Sequence, residues 1–395
     1  VKKIKVLRII NRFNIGGPTY NATFLTRFLG DEFETLLIGG LPEEGESDSL
    51  HILEQYGVQP VLLDEMQRKP SFSSDRKAYK RIQRIIEEFQ PDIVHTHAAK
   101  AGALGRRAAK AAGVPVIVHT YHGHVFHGYF NPLKTTVYKA IERRLSKSST
   151  RIIAISSLQK DELVNTHKVC SDQQTVVIPL GFDLSKFHEN RTENRTKTRR
   201  QFHIADDEIA IGIIGRLAPI KNHLFFIDVL KEISRQTTKK VKVFIVGDGT
   251  ERGAIEQHID GFNWPENLTI QLTSWIREIE VFNPGMDIIC LCSKNEGTPV
   301  SLIEAQAANV PVISTNVGGV RDIVADKKTG IIVTSGTQTE YTEKLLELIE
   351  NDGLRSAMSQ SGWEYVKEQF HYTRLANDVK QLYFKLLNEK NVIRK

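Results

Sequence analysis

Two α/β domains, each a doubly wound parallel sheet with helices on its faces, are what this sequence predicts. Three observations carry the prediction. Short runs rich in Val and Ile alternate with amphipathic segments almost throughout, the pattern of strands buried on both faces. A polar, charge-rich stretch at 188–200 interrupts that alternation, after which it restarts. A length of 395 residues is long for one compact core and comfortable for two.

In the first half the strand candidates are 5–10, 34–38, 60–63, 92–95, 115–119, 151–155 and 175–178, enough for one sheet. In the second half they are 208–214, 241–246, 267–272, 287–291, 311–314 and 330–333. Three helical segments close the chain, and the last carries Leu375, Val379, Leu382, Tyr383 and Leu386 on one face, which must be covered by a sheet or helix. The expected division is 1–185 for the first domain and 186–371 for the second.

Hydrophobic residues at 40% and charged residues at 25% exclude a disordered or fibrous chain. The apolar run at the N-terminus is too brief for a signal peptide or a membrane span, so a cytoplasmic protein is expected. Cys290 and Cys292, one residue apart in an apolar run, suit a buried strand better than a disulfide. A net charge of +6 favours anionic partners, but no nucleic-acid motif or dense basic arm accompanies it.

Lys134, Lys139, Arg143, Arg144 and Lys147 flank a helical apolar face made by Leu133, Val137, Ile141 and Leu145. That pattern fits either a core-facing helix or one lying on an anionic membrane at the inner face of the cell. Just before it, Phe126, Tyr129 and Phe130 form an aromatic segment that either packs inside or faces an acceptor.

Parallel sheets bind ligands beyond the carboxyl ends of their strands, which directs attention to four loops. After the first strand, Gly16 and Gly17 let backbone amides approach a ligand before a helix from Thr19. The loop from Gly215 through Arg216 to Lys221 brings two cations to a strand end, as a diphosphate leaving group requires, and it is no Walker loop. Gly247 opens a tight turn after the next strand but lacks the full dinucleotide fingerprint.

The fourth loop, Glu296-Gly297-Thr298-Pro299-Val300, is the most informative. Thr298 reads as an N-cap and Pro299 as the first helical residue, so Glu296 lies in the loop and Glu304 about two turns down the helix. Two carboxylates then flank a helix N-terminus suited to phosphate, and each can accept hydrogen bonds from sugar hydroxyls.

The Glu-x7-Glu segment 296–304, the Gly215-to-Lys221 loop and Gly318-Gly319 together resemble family four of the retaining GT-B glycosyltransferases. The resemblance runs over nearly the whole chain. It implies two Rossmann-like domains facing across a cleft, with helix 372–395 packing back on the first. By it, Arg216 and Lys221 contact the donor diphosphate, Glu304 the ribose, Glu296 the transferred sugar, and Gly17 packs beside the diphosphate. His122 matches the family histidine near sugar and acceptor.

The implied activity moves a hexose or N-acetylhexosamine from a nucleotide diphosphate sugar, UDP before GDP on family frequency. The acceptor would be a glycan or polyprenyl-linked glycan of surface polysaccharide synthesis. Configuration is retained, no cofactor is needed, and without an Asp-x-Asp motif no metal is expected. The chain departs from the family where Thr273-Ser274-Trp275 replaces the usual Thr-Gly, which puts nucleobase recognition in doubt.

Other readings stay open. His95, His97, His119, His122, His124 and His127 crowd two strand ends, which a metal-dependent hydrolase would use, though no acidic ligand set accompanies them. A non-catalytic nucleotide-sugar binding subunit, an epimerase or a phosphorylase could share the fold.

Overall fold

The computed structural model describes residues 2–14, 17–42, 49–67, 71–122 and 132–392, the side chains of 132–135 excepted. Each apolar run forms a strand: β1 (Ile4–Arg12), β2 (Phe33–Gly40), β3 (Val61–Leu62), β4 (Ile93–His97), β5 (Val116–Tyr121), β6 (Arg151–Ala154) and β7 (Thr175–Val177), then β8 (Glu208–Ile214), β9 (Lys240–Val246), β10 (Leu268–Thr273), β11 (Ile288–Leu291), β12 (Val312–Thr315) and β13 (Gly330–Val333). They pair in parallel as two sheets, ordered β3-β2-β1-β4-β5-β6-β7 and β10-β9-β8-β11-β12-β13. Strands such as β4, β11 and β12 are buried at every position, which is why they read as continuous apolar runs rather than alternating ones.

The chain forms two compact units. The first comprises Val1–Phe182 and Phe370–Lys395, the second Asp183–Gln369. The switch falls a few residues before the boundary read from the sequence, ahead of the short helix Ser185–His188. The polar stretch after it is the helix Arg191–Gln201, held to its own unit by Arg195 and Arg199 on Asp287.

In the first unit the final helix, Tyr372–Glu389, buries Leu375, Val379, Leu382, Tyr383 and Leu386 against Val6, Ile93, Val116 and Ile153 of the sheet. Phe182 clamps its start, donating its amide to Phe370 and accepting from Tyr372. The opposite sheet face packs Leu7, Ile9 and Val94 on Ile82, Ile86, Leu104 and Ala108. In the second unit a large core brings Ile211, Val243 and Ile313 against Phe226, Leu230, Tyr341 and Leu345, and Phe244 and Phe282 pack with Phe202 apart from it. Cys290 and Cys292 are buried free thiols within it.

The helix Pro132–Ser146 departs from the core-facing alternative. Leu145 is buried as expected, but Val137 and Ile141 stand 52% and 45% exposed. The inward position is taken by Glu142, 6% exposed, whose Oε2 accepts from the fully buried Arg106 at 2.7 Å and from Tyr121 Oη at 2.6 Å. An ion pair inside a core must be matched in place, and this one sets the rotation of the helix. Among the described residues no helix is long and apolar enough to cross a membrane.

Candidate functional site

Ligand sites of open parallel sheets gather where the strand order reverses. In the second unit that point lies between β8 and β11, and the two loops leaving those strands carry Lys221 and Glu296. The structure brings them together. Lys221 Nζ lies 2.5 Å from Glu296 Oε1, which also accepts from Ser293 Oγ at 2.5 Å. Arg216, in the same loop as Lys221, is exposed and makes no ion pair with any described residue. One cation is thus held by a carboxylate while the other faces solvent, ready for a charged ligand.

Glycines bring these loops into backbone contact. Gly318 has φ +51°, and a Cβ there would fall 1.7 Å from the Glu296 carbonyl oxygen; the Gly319 amide donates to that same oxygen. Only a left-handed residue without a side chain lets the loop after β12 buttress Glu296 so closely. Gly247, at φ +144°, likewise leaves no room for a Cβ, which would meet the Gly215 carbonyl oxygen at 2.0 Å.

The helix after Glu296 runs Val300–Ala307, which corrects the capping assignment. Pro299 is the N-cap, Thr298 stays in the loop, and no side chain caps the terminus. Glu304 therefore lies little more than one turn in, not two. At the exit Asn309, with φ +56°, takes the left-handed position, and Val310 donates back to Ala305 in a Schellman closure. Glu304 is half-buried, and burial pushes its carboxyl up to about 7, with Lys186 opposing and Glu280 reinforcing the rise.

In the first unit the order reverses between β1 and β4. His97, the last residue of β4, places Nδ1 2.9 Å from His122 Nε2, the two rings stacked at 5.2 Å. Burial depresses His122 to about 3, so its imidazole is neutral at physiological pH. The other histidines are spent internally. His95 joins Tyr383 Oη at 2.6 Å and Thr120 Oγ1 at 2.7 Å, while His119 joins Thr96 Oγ1 at 2.8 Å. Among the described residues no three His, Cys, Asp or Glu are grouped to hold a metal.

Gly17 opens the helix Gly17–Arg27 after β1, against Leu180. Gly16, Phe126, Tyr129 and Phe130 lie outside the described residues, as do His124 and His127. Arg143, itself exposed, donates to the carbonyls of His167 and Lys168, and Lys139 is engaged as well; Arg144 and, just past the helix end, Lys147 are exposed too. Sequence reasoning missed Ser293 as a partner of Glu296 and read His97 only as a metal candidate. A Ser three residues before a loop carboxylate, at a strand end, was the available signal for the first.

Residues 24–186 match the model of Glycosyltransferase Family 4, and residues 194–364 match that of Glycosyl transferases group 1. The chain is 27% identical over 338 residues to the UDP-Gal:alpha-D-GlcNAc-diphosphoundecaprenol alpha-1,3-galactosyltransferase of Escherichia coli, covering 84% of this chain and 85% of that one. It is 26% identical over 343 residues to the capsular polysaccharide biosynthesis glycosyltransferase CapM of Staphylococcus aureus, covering 85% and 88%. The fold is similar to that of Anabaena HepE in complex with UDP, with a TM-score of 0.79 at 18% identity over 97% of this chain and 100% of that one.

Proposed function

The chain belongs to the family 4 glycosyltransferases of GT-B architecture, and from that premise we propose that it is a retaining, metal-independent enzyme using a UDP-sugar. It moves a hexose or N-acetylhexosamine to a lipid-linked or polysaccharide glycan. The observation that supports this most is the Lys221–Glu296 pair at the strand-order reversal of the second unit, with Arg216 unpaired beside it. The names of the two relatives, one acting on a diphosphoundecaprenol-linked sugar with UDP-Gal and one serving capsule synthesis, favour uridine and a surface glycan.

In this reading Arg216 and Lys221 take the diphosphate, with Gly215, Gly247, Gly297, Thr298, Pro299 and Val300 shaping its bed. Glu304 accepts from the ribose hydroxyls and Glu296 from those of the sugar. Lys221 divides its protons between Glu296 and the phosphate, so ligand and carboxylate are aligned through one cation. The bond from the anomeric carbon to the diphosphate breaks as the cations take up the charge. The acceptor hydroxyl attacks the same face, and its proton passes to the departing phosphate oxygen, which retains configuration without an enzyme nucleophile. His122, neutral, offers its imidazole to a hydroxyl of the acceptor.

A lipid-linked acceptor brings a membrane with it. Val137 and Ile141, exposed beside Arg144 and Lys147, form an apolar ridge flanked by cations, the complement of an anionic bilayer.

The test is thermal stabilisation by nucleoside diphosphates and nucleotide sugars. A selective shift with UDP, lost in Arg216→Ala and Glu304→Ala, is expected. No shift with any nucleotide would overturn the proposal.

A further inference from the structure

We propose that the second unit carries a further small-molecule site, for a phosphorylated sugar, behind the Lys221–Glu296 pair, and that its occupant weakens donor binding. The proposal rests on the donor-site reading above, because its effect passes through Glu296.

A cavity of about 340 Å³ opens at the carboxyl ends of β11, β12 and β13, wholly within the second unit. That is the small end of the range for ligand pockets, suited to a monosaccharide rather than to a nucleotide sugar. Its wall includes none of Arg216, Lys221, Glu296 or Glu304. No carboxylate lines it among the described residues, and three of the side chains that do are donors without an acceptor. Lys294, exposed, makes no ion pair through its ammonium with any described residue. Asn222 precedes the helix His223–Gln236 in the left-handed conformation, φ +59°, and its side chain does not cap that helix. Asn316 Oδ1 accepts from Arg321 Nε at 2.8 Å; a guanidinium only donates, so this amide is oriented and its Nδ2 is left to donate elsewhere.

A wall of donors that includes a cation and no carboxylate selects an anion. Two features add the sugar. Phe225, half-buried and edge-on to Tyr341, gives one apolar surface, whose negative ring face suits the C–H side of a pyranose. Thr334 Oγ1 donates its proton to Glu340 Oε1 and so keeps lone pairs for a ligand hydroxyl.

Ser293 joins the two sites. It is 1% exposed and lines the cavity, and its one hydroxyl proton goes to Glu296 Oε1, the same oxygen that Lys221 holds. An anionic oxygen in the cavity competes for that proton. Glu296 is then left with Lys221 alone and draws its ammonium away from the diphosphate. The occupant therefore opposes the donor, and by linkage the donor opposes the occupant to the same degree.

The experiment titrates the native chain, Lys294→Ala, Asn316→Ala, Arg216→Ala and Ser293→Ala with glucose 6-phosphate, inorganic phosphate and UDP by calorimetry. Glucose 6-phosphate should bind the native chain and Arg216→Ala alike, more tightly than inorganic phosphate does, and lose about tenfold or more in Lys294→Ala and in Asn316→Ala. Neither of those two variants should change UDP affinity. Saturating glucose 6-phosphate should weaken UDP about fivefold or more on the native chain and leave it unchanged in Ser293→Ala. No binding of glucose 6-phosphate at millimolar concentration, binding lost in Arg216→Ala but kept in Lys294→Ala, equal binding of inorganic phosphate, or UDP affinity indifferent to glucose 6-phosphate on the native chain would each overturn the inference while leaving the donor site intact. Failure of the native chain to bind UDP at all would instead overturn the donor-site reading on which it rests.

Discussion

Replacing Glu304 by Gln should stabilise the second unit and weaken the donor together. Moving a carboxyl from its ordinary 4.5 to about 7 costs the ionised form about 3 kcal/mol at 1.36 kcal/mol per pH decade. Part of the side chain stays open to solvent, which screens the charge, so we take about 2 kcal/mol. The sign follows from linkage. Folding raises this carboxyl, so the folded state binds the proton more tightly than the unfolded one; the cost is absent below about pH 4.5, grows as pH rises, and is complete above about 7. Glu304→Gln should therefore melt about 4–8 °C above the native chain at pH 8, a gap that closes by about pH 4. UDP binding moves the other way. A diol donating to a carboxylate favours its ionised form, so native affinity should rise from pH 6 to pH 8. In Glu304→Gln it should be flat and about tenfold weaker at pH 8. Differential scanning fluorimetry across pH, with calorimetry of UDP at pH 6, 7 and 8, reads both effects. A variant no more stable than native at pH 8, or one whose UDP affinity keeps the native pH dependence, would refute the reasoning.

Glu142→Ala should cost about 3–5 kcal/mol, because it leaves Arg106 charged and fully buried; a melting point within 2 °C of native would show that the pair does not hold the helix. His97→Ala should lower kcat for transfer with little change in KM for the UDP-sugar, and His97→Asn, which keeps a donor near the Nδ1 position, should restore part of the rate; equal losses in both would count against His97 orienting His122. Val137→Ser with Ile141→Ser should abolish flotation with anionic liposomes and leave transfer to a soluble acceptor unchanged; undiminished flotation would remove that face from consideration.

The strands were legible because parallel strands covered on both faces leave nothing polar to confuse the pattern, and β11 and β12 show this at every residue. The meeting of Lys221 and Glu296 in the second unit was legible for a related reason. Each follows a strand end, so sequence order and the reversal of strand order suffice to bring Lys221 and Glu296 within one hydrogen bond. The cap at Val300–Ala307 was not, because Thr298 and Pro299 satisfy the rule for N-cap and first residue equally well one position earlier. Propensity cannot see that Gly318 and Gly319 pull the preceding loop against another backbone and delay the first helical turn.

The helix Pro132–Ser146 shows why periodicity can fail altogether. A count of apolar spacing assigns Val137 and Ile141 inward, since burying them gains free energy and burying Glu142 costs it. The count changes once Arg106 is known to lie beneath, because a buried guanidinium left alone is worse than an exposed Val and Ile. The Tyr121 hydroxyl supplies a second donor to the same carboxylate. Arg106 stands 36 residues before Glu142 and Tyr121 stands 21 before it, so no window of local sequence contains the reason. The two exposed residues are the consequence. They are available to a partner because an ion pair, not an apolar stripe, decides which way the helix faces.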